Sequence, residues 1–418
     1  MTIDEAARKF HWLTYNRRTN EVDIYLDNHV LSSFRMCEAH GFLEHIALIN
    51  PRYTKHGPWF WEFGEFIHYS LEWFYTNFKN EKKPPVVDQW LAKCKEKWLE
   101  MDMDYYGTEE AFKADNDRYS DLGGWEGVAG LLIEYYAFYM DLRVRIIDTE
   151  ITFGYNKEVP LGQFTIPLVT SQYVYKKKRK YQIEVLQNIK VNCYLTGRID
   201  LLVDNGYKIG PVDHKTTTKF DGYEHEDFNP HDGITGYILT IGNILTRYRQ
   251  AKLTNLPVCT GGWIYHISNN RPSTPRDKKK PTPPRFKTTP VDKSIQALED
   301  YKARQVTTFK RIITMLFYDE TPQWSTDKCN NMFHRKCKYK PIHEQPSNEW
   351  VQIINSHYSI GKVWDTRDHS KNKSTSESVT TTTNTNKSEE ESKKENREEH
   401  RESREKSEKE SEKELLKV

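Results

Sequence analysis

The chain lacks any run of about 18 apolar residues, the length a helix needs to cross a bilayer, so no membrane span or membrane partner is expected. Its opening residues, MTIDEAARKF, carry no apolar stretch of the kind a secretory signal needs, and a soluble intracellular protein follows as the expectation. Cysteine is sparse, with six in 418 residues: Cys37, Cys94, Cys193, Cys259, Cys329 and Cys337. In an intracellular chain this argues against a disulfide framework. An excess of one charge is missing too. The 62 Lys+Arg against 60 Asp+Glu leave a net charge of +2, so any contact with nucleic acid must rest on local basic patches. There is no internal repeat, which excludes a solenoid or propeller. Aromatic residues are absent from Lys371 onwards, where Ser, Thr, Asn, Glu, Lys and Arg dominate. Such a segment cannot bury enough apolar surface to offset its ordering entropy, so a disordered tail is expected, given no chemistry of its own. The tail pulls the mean hydropathy down to -0.84. All 11 Trp, 25 Tyr and 18 Phe precede it, ample for a core. The expected organisation is one folded domain over 1–365 and a charged tail over 366–418.

What is present centres on Thr196–Lys219, TGRIDLLVDNGYKIGPVDHKTTTK. Two runs rich in β-formers flank Asn205-Gly206, a hairpin turn signal. Residues two apart on a strand share a face, so Asp213 and Lys215 point one way and His214 the other. The hairpin brings Asp200 towards that pair. Two carboxylates and a lysine at one point suit a hard divalent cation beside a phosphate. Mg²⁺ takes oxygen ligands, usually one or two carboxylates plus phosphate oxygens. Asp200 and Asp213 supply the carboxylates, the His214 backbone carbonyl a neutral ligand, and Lys215 a positive charge to orient water and offset charge on the phosphoryl group. A surface hairpin with an ordinary Asp–Lys pair is the plain alternative for the D-x-K triplet alone.

The Gly197-Arg198-Ile199-Asp200 and Val212-Asp213-His214-Lys215-Thr216 pair resembles motifs II and III of the PD-(D/E)XK nuclease superfamily, in its RecB-like branch, which includes CRISPR-adaptation nucleases and phage exonucleases. Gly64-Glu65-Phe66-Ile67-His68 resembles the branch's upstream G-x-x-x-H helix, and Leu31–Cys37 the opening of its nuclease domain. The resemblance implies an α/β, restriction-endonuclease-like core, a mixed central sheet flanked by helices. It further implies a divalent-metal-dependent DNA exonuclease of recombination, repair or phage DNA processing, in a host cytoplasm if phage-encoded. Mg²⁺ or Mn²⁺ would be held by His68, Asp200, Asp213 and His214, and catalysis carried by Asp200, Asp213, Lys215 and Tyr237. Tyr237 fits the family's Q-x-x-x-Y helix, but Gly233 stands at the glutamine position. That departure keeps open a lapsed nucleic-acid-binding module of the same fold.

Some RecB-like members carry a 4Fe–4S cluster, and the resemblance places Cys37, Cys329, Cys337 and His343 at its ligand positions, with His334 in reserve. A cluster, a zinc ion or free thiols remain open. Cys94, Cys193 and Cys259 read as core. Two basic stretches, Lys176–Lys180 and the Pro/Lys-rich loop at about 270–284, are candidates for phosphate contact or for solvated loops. Glu150 falls in an expected strand, Ile146–Phe153; some members of the superfamily use a glutamate nearby, and a structural role is the preferred reading. Further strands are expected at Ile166–Tyr175, Tyr181–Lys190, Gly261–Ser268 and Arg285–Asp292. Helices are expected over a segment within Ile24–Leu48, Phe60–Phe78, Val86–Leu99, Gly127–Tyr139, Ile234–Gln250 and Ser294–Tyr318. The partners expected are DNA and, through the tail, a recombinase or single-strand-binding protein.

Overall fold

A computed structural model describes residues 1–51, 59–106, 124–140, 144–176, 179–217, 232–250, 260–268, 285–318, 320–325, 337–346 and 349–361. The chain divides into Met1–Thr366 and Arg367–Val418, and every described residue belongs to the first unit. The expectations for the tail and for the loop at about 270–284 lie outside the described residues.

The architecture is organised by one long strand. In chain order the elements are α1 (Ile3–Lys9), β1 (Leu13–Asn16), β2 (Glu21–Asp27), α2 (Asn28–Met36), α3 (Glu38–His45), β3 (Ile49–Pro51), α4 (Trp59–Glu81), α5 (Val87–Tyr106) and α6 (Gly124–Met140). Then follow β4 (Arg145–Phe153), β5 (Pro160–Lys176), β6 (Arg179–Asp204), β7 (Ile209–Thr217), α7 (Asp232–Gln250), β8 (Gly261–Ser268), β9 (Phe286–Asp292), α8 (Ile295–Phe317), α9 (Lys340–His343), α10 (Trp350–His357) and β10 (Tyr358–Ile360). The sheet runs β1-β2-β6-β7-β8-β9, with β4 and β5 also paired to β6. The first part of β6 pairs with β5 antiparallel and β2 parallel, and its last part with β4 and β7, both antiparallel. β7 and β8 run parallel, which demands a crossover, and α7 lies between them in the chain. The mixed α/β sheet flanked by helices is the fold class expected.

Alternation along β6 and β7 explains the layers. Leu201, Val203 and Val212 pack with Phe63, Phe66, Phe74, Trp90 and Leu131 of α4, α5 and α6 on one face. Leu202 and Ile209 pack with Leu31, Ile241, Phe309 and Ile312 of α2, α7 and α8 on the other. A sheet buried on both faces needs such near-continuous apolar strands. Each side chain fully removed from water contributes on the order of 1.5–3 kcal/mol. In α8 the Ser294 hydroxyl caps the first turn by accepting from the Ala297 N–H, and Tyr301, Gln305, Thr308, Phe309, Ile312 and Leu316 turn inward at helical spacing.

Two local features differ from the sequence reading. The segment within Ile24–Leu48 is two helices, because Cys37 is extended (φ -161°, ψ 113°), ending α2 and starting α3. The strands expected at Tyr181–Lys190 and at the motif hairpin are one continuous β6.

Candidate metal centre and active site

The β6–β7 hairpin is the platform. Leu201 pairs with Val212 and Asp204 with Ile209, leaving Asn205–Lys208 as the turn, and Gly206 takes the positive φ (88°) a side chain would resist. The ladder ends at the Leu201–Val212 pair, and Asp200 and Asp213 are the next residue of each strand beyond it. Both are buried, at 9% and 2% exposure.

Alternation sets the His214 ring on the other face of the sheet, while its Nδ1 stays 3.7 Å from Asp200 Oδ2. Its ring lies among Tyr75, Tyr135 and Tyr265, and its Nε2 is 3.1 Å from the Tyr135 hydroxyl, itself 2.6 Å from that of Tyr75. The His214 N–H donates to Asp200 Oδ2 at 2.8 Å. Lys215 shares the face of Asp213 and donates to its Oδ1 at 3.0 Å. Asp213 Oδ2 is buried with no hydrogen-bond donor.

From α4, His68 brings Nδ1 to 3.6 Å from Asp200 Oδ2. Its neighbours Phe66, Ile67 and Leu71 anchor the helix in the core. Gly64 faces β7, where a Cβ would meet Thr216 Oγ1 at 3.4 Å, an ordinary contact. The sterics at this point do not demand glycine.

Glu150 completes the group. On β4, Thr149 pairs with Leu201 and Ile151 with Ile199, which sets Glu150 opposite Asp200. His68, Glu150 and Asp200 each offer one ligand atom, all within 4.8 Å of one another. Glu150 has a left-handed backbone (φ 51°), a conformation a glutamate adopts at a cost of about 1 kcal/mol or more and that is often retained at functional sites. Arg198 Nε lies 2.7 Å from its Oε2. Sequence reasoning preferred a structural role for Glu150 over that of the superfamily's nearby glutamate; no local motif marks it, and the β4–β6 register reveals the meeting.

The electrostatics follow from this crowding. Burial alone would raise the Asp200 pKa, but the charge interaction with His68, the hydrogen bond and charge interaction with the His214 side chain, and Lys215 reverse this and hold it well below the usual carboxylate range. His68 is itself shifted towards the neutral form, by burial and by Lys215 against the pull of Asp200. Burial pulls Lys215 down, yet Asp213 and Asp200 carry it upward, so it stays an ammonium. The Tyr237 phenol on α7 is raised well above its ordinary value, first by burial and then by Asp200, Asp213, Glu150 and Asp27. It therefore shares the field of the same carboxylates.

These residues fit a hard divalent cation. The chemistry is carboxylate oxygen with one imidazole, and the cluster carries more negative charge than Lys215 and Arg198 offset. A buried acceptor left without a donor costs on the order of 1–3 kcal/mol, and Asp213 Oδ2 is such an acceptor.

The cysteine set is placed differently. Cys37 and Cys337 share a small buried cluster with Tyr339, Ile342 and Tyr358. The His343 ring stacks on Trp324 (4.4 Å, 5°), whereas His40 Nδ1 meets Cys337 Sγ at 3.3 Å. Cys329, Cys259 and His334 lie outside the described residues. Cys94 and Cys193 are buried, as expected of core thiols, and burial raises them to about 11 and about 12. A second group, His29, Glu44 and His45, also places ligand atoms within 4.8 Å of one another. Its Glu44 carboxylate is already bonded to His40 (2.8 Å) and Lys338 (2.7 Å). Among the described residues, no helix is long and apolar enough to cross a membrane.

Comparison with known proteins supplies a family. The model of the PD-(D/E)XK nuclease superfamily matches residues 29–342, a span that contains every residue of the site. No curated protein matches the chain. Seven chains of solved structures do. One, described as the crystal structure of SSO0001, is 12% identical over 61% of this chain and 79% of that chain, with a TM-score of 0.22. So low a score carries no argument.

Proposed function

We propose, for a chain that belongs to the PD-(D/E)XK nuclease superfamily, that it is a divalent-metal-dependent nuclease hydrolysing phosphodiester bonds in DNA, acting as an exonuclease in recombination, repair or phage DNA processing. The observation that carries the reading is the convergence of His68, Glu150 and Asp200 beside Asp213, whose Oδ2 is buried without a donor, and Lys215.

Asp200, Asp213, Glu150 and His68 would hold Mg²⁺ or Mn²⁺, with the His214 carbonyl as a neutral ligand. The bound ion supplies Lewis-acid stabilisation of the charge that builds on the phosphoryl group. The residues do the rest. Lys215, tethered to Asp213, orients the attacking water and sets a positive charge against the transition state. Tyr237 keeps its proton and can donate a hydrogen bond to a phosphate oxygen. Water adds to phosphorus and gives up one proton to solvent, the P–O bond to the leaving strand breaks, and the leaving oxygen takes a proton from solvent.

The second reading is a lapsed DNA-binding module, favoured by Gly233 at the start of α7, where the family pattern has an amide. The Cys37, Cys329, Cys337 and His343 set belongs with the proposals, as a 4Fe–4S or zinc site. So does the tail, as the docking segment for a recombinase or single-strand-binding protein; pull-down unchanged after truncation at Asp368 would remove that idea.

The test is digestion of end-labelled linear DNA, with closed circular DNA alongside, in Mg²⁺ or Mn²⁺. Loss of label that disappears with EDTA and in Lys215→Ala supports the nuclease, and sparing of circles supports the exonuclease. Binding without digestion under either metal moves the reading to the lapsed module.

A further inference from the structure

β5 and β6 remain paired out to Tyr175↔Lys180 and Lys176↔Arg179. The strands that flank β6 stop well short of that end. β2 pairs with it only from Lys190 onwards, and β4 only from Gly197. Tyr173–Lys176 and Arg179–Glu184 are exposed on both faces. A two-stranded ribbon without a core against it adds little stability of its own. Its composition therefore needs another explanation.

That composition is aromatic and basic. The register puts Tyr173, Tyr175 and Lys180 on one face, and Val174, Lys176, Arg179 and Tyr181 on the other. Tyr175 is 74% exposed, and Lys180 Nζ stands 3.7 Å from the centre of the Tyr173 ring. Between Ser171 and Leu186 the one acidic residue is Glu184, against five basic residues from Lys176 to Lys180. Cations beside exposed rings suit a phosphate backbone with bases available for stacking. The same charges repel an identical ribbon, which disfavours a second copy of this chain as the occupant.

We infer that the outer end of the β5–β6 ribbon is a nucleic-acid arm that grips the phosphate backbone at a distance from the candidate active site. The inference rests on the nucleic-acid substrate proposed above, and it adds a place and a length. Twenty residues of β6 separate Lys180 from Asp200, and at about 3.3 Å each they span at most about 65 Å. At about 3.4 Å per base pair, that is a duplex of up to about 19 base pairs. The arm therefore contributes to binding on long substrates and not on short ones.

The experiment compares wild type with Lys176→Ala/Arg179→Ala/Lys180→Ala. It measures equilibrium binding to labelled 10-, 20- and 40-base-pair duplexes, and to single strands of the same lengths, in EDTA so that no cleavage intrudes. All three side chains are exposed, and an unchanged melting temperature verifies the fold. On the 40-base-pair duplex the slope of log K against log salt becomes shallower by about 2–3, near 0.9 for each phosphate no longer neutralised. On the 10-base-pair duplex the two proteins bind alike. Equal slopes at every length overturn the arm, and so does a variant that changes only the sedimentation of the free protein, which would make the ribbon a self-association surface. Binding that depends on the arm in a protein that never cleaves would sink the nuclease and leave the arm standing. Cleavage with no arm dependence does the reverse.

Discussion

Glu150→Gln is the substitution that tests the site most directly, because wild type and variant should exchange rank when metal is added. In the metal-free protein the carboxylates of Glu150 and Asp200 lie within 4.8 Å. Two like charges at that distance repel by about 3.5 kcal/mol at an effective dielectric constant of about 20. A neutral amide in place of the Glu150 carboxylate removes this repulsion. The ion pair with Arg198 weakens at the same time, worth about 1 kcal/mol because the arginine is partly exposed. The backbone at φ 51° is unchanged, so its strain cancels between the two proteins. With the partial neutralisation of Asp200 by Lys215 also counted, the variant should be the more stable in EDTA by about 1–2 kcal/mol, a melting rise of about 1–3 °C for a folded unit of this size.

Metal reverses the order. A divalent ion at about 100 times its dissociation constant stabilises wild type by about 2.7 kcal/mol. Loss of one anionic ligand that weakens binding tenfold takes away about 1.3 kcal/mol of that gain, and a hundredfold loss about 2.3. Thermal melts of both proteins in EDTA, then across a Mg²⁺ and a Mn²⁺ titration, give the two curves. If Glu150→Gln melts below wild type in EDTA and the metal-induced shifts are equal, Glu150 is a structural partner of Arg198 and the reasoning fails.

Three further expectations can be checked by melting. Gly236 on α7 has no space for a side chain: a Cβ would lie 2.8 Å from the Tyr301 hydroxyl and nearer still to Asn28 Nδ2, so Gly236→Ala should cost about 1–3 kcal/mol. Tyr135→Phe strands the buried Tyr75 hydroxyl and His214 Nε2 and should cost about 1–3 kcal/mol. Burial pushes Glu38 up, but the Arg311 fork (2.7 and 2.9 Å) and the Gln323 N–H (3.1 Å) hold it below the ordinary range. A carboxylate lowered in the folded state contributes stability above its unfolded pKa and loses it as pH falls through the folded one. Arg311→Ala should therefore cost about 1 kcal/mol at pH 7 and progressively less towards the acid end, and a penalty constant with pH would refute the assignment.

The parts of the site legible in the sequence are those set by local periodicity. Asp213, His214 and Lys215 alternate because they sit on a strand, and Asn205-Gly206 fixes the turn that brings Asp200 back. His68 was reached through the resemblance to the family's G-x-x-x-H helix, since alone it reads as a core or rim histidine, and the helices were placed by their apolar faces. Glu150 was not legible, because its meeting with Asp200 depends on an antiparallel register between strands fifty positions apart. Its left-handed φ leaves no mark in a sequence where Thr149-Glu150-Ile151 reads as ordinary strand. The Cys37 break between α2 and α3 was hidden for a similar reason: no glycine or proline marks it. His40 beside Cys337 likewise depends on residues 297 positions apart.

The length of β6 ties these failures together. Read locally, the basic stretch at Lys176–Lys180 looks like a loop, and Tyr181–Lys190 like a strand separate from the motif hairpin. Nothing between Tyr181 and Asp204 interrupts a strand, however: there is no proline, and the lone Gly197 remains within the ladder opposite Phe153. A strand continues until its backbone is prevented from pairing, and here β5, β2, β4 and β7 take up the ladder in turn. The consequence is mechanical as well as topological. The same strand that carries Asp200 in the buried core carries Arg179 and Lys180 out beyond it, so the geometry between ribbon tip and carboxylates is set by paired backbone and not by a flexible linker. A glycine-rich break engineered at Gln187–Asn188, ahead of the first β2 pair at Lys190, should leave cleavage of short duplexes intact while abolishing the length dependence of binding. If length dependence survives the break, the arm acts as a tethered charge and rigidity has no part in it.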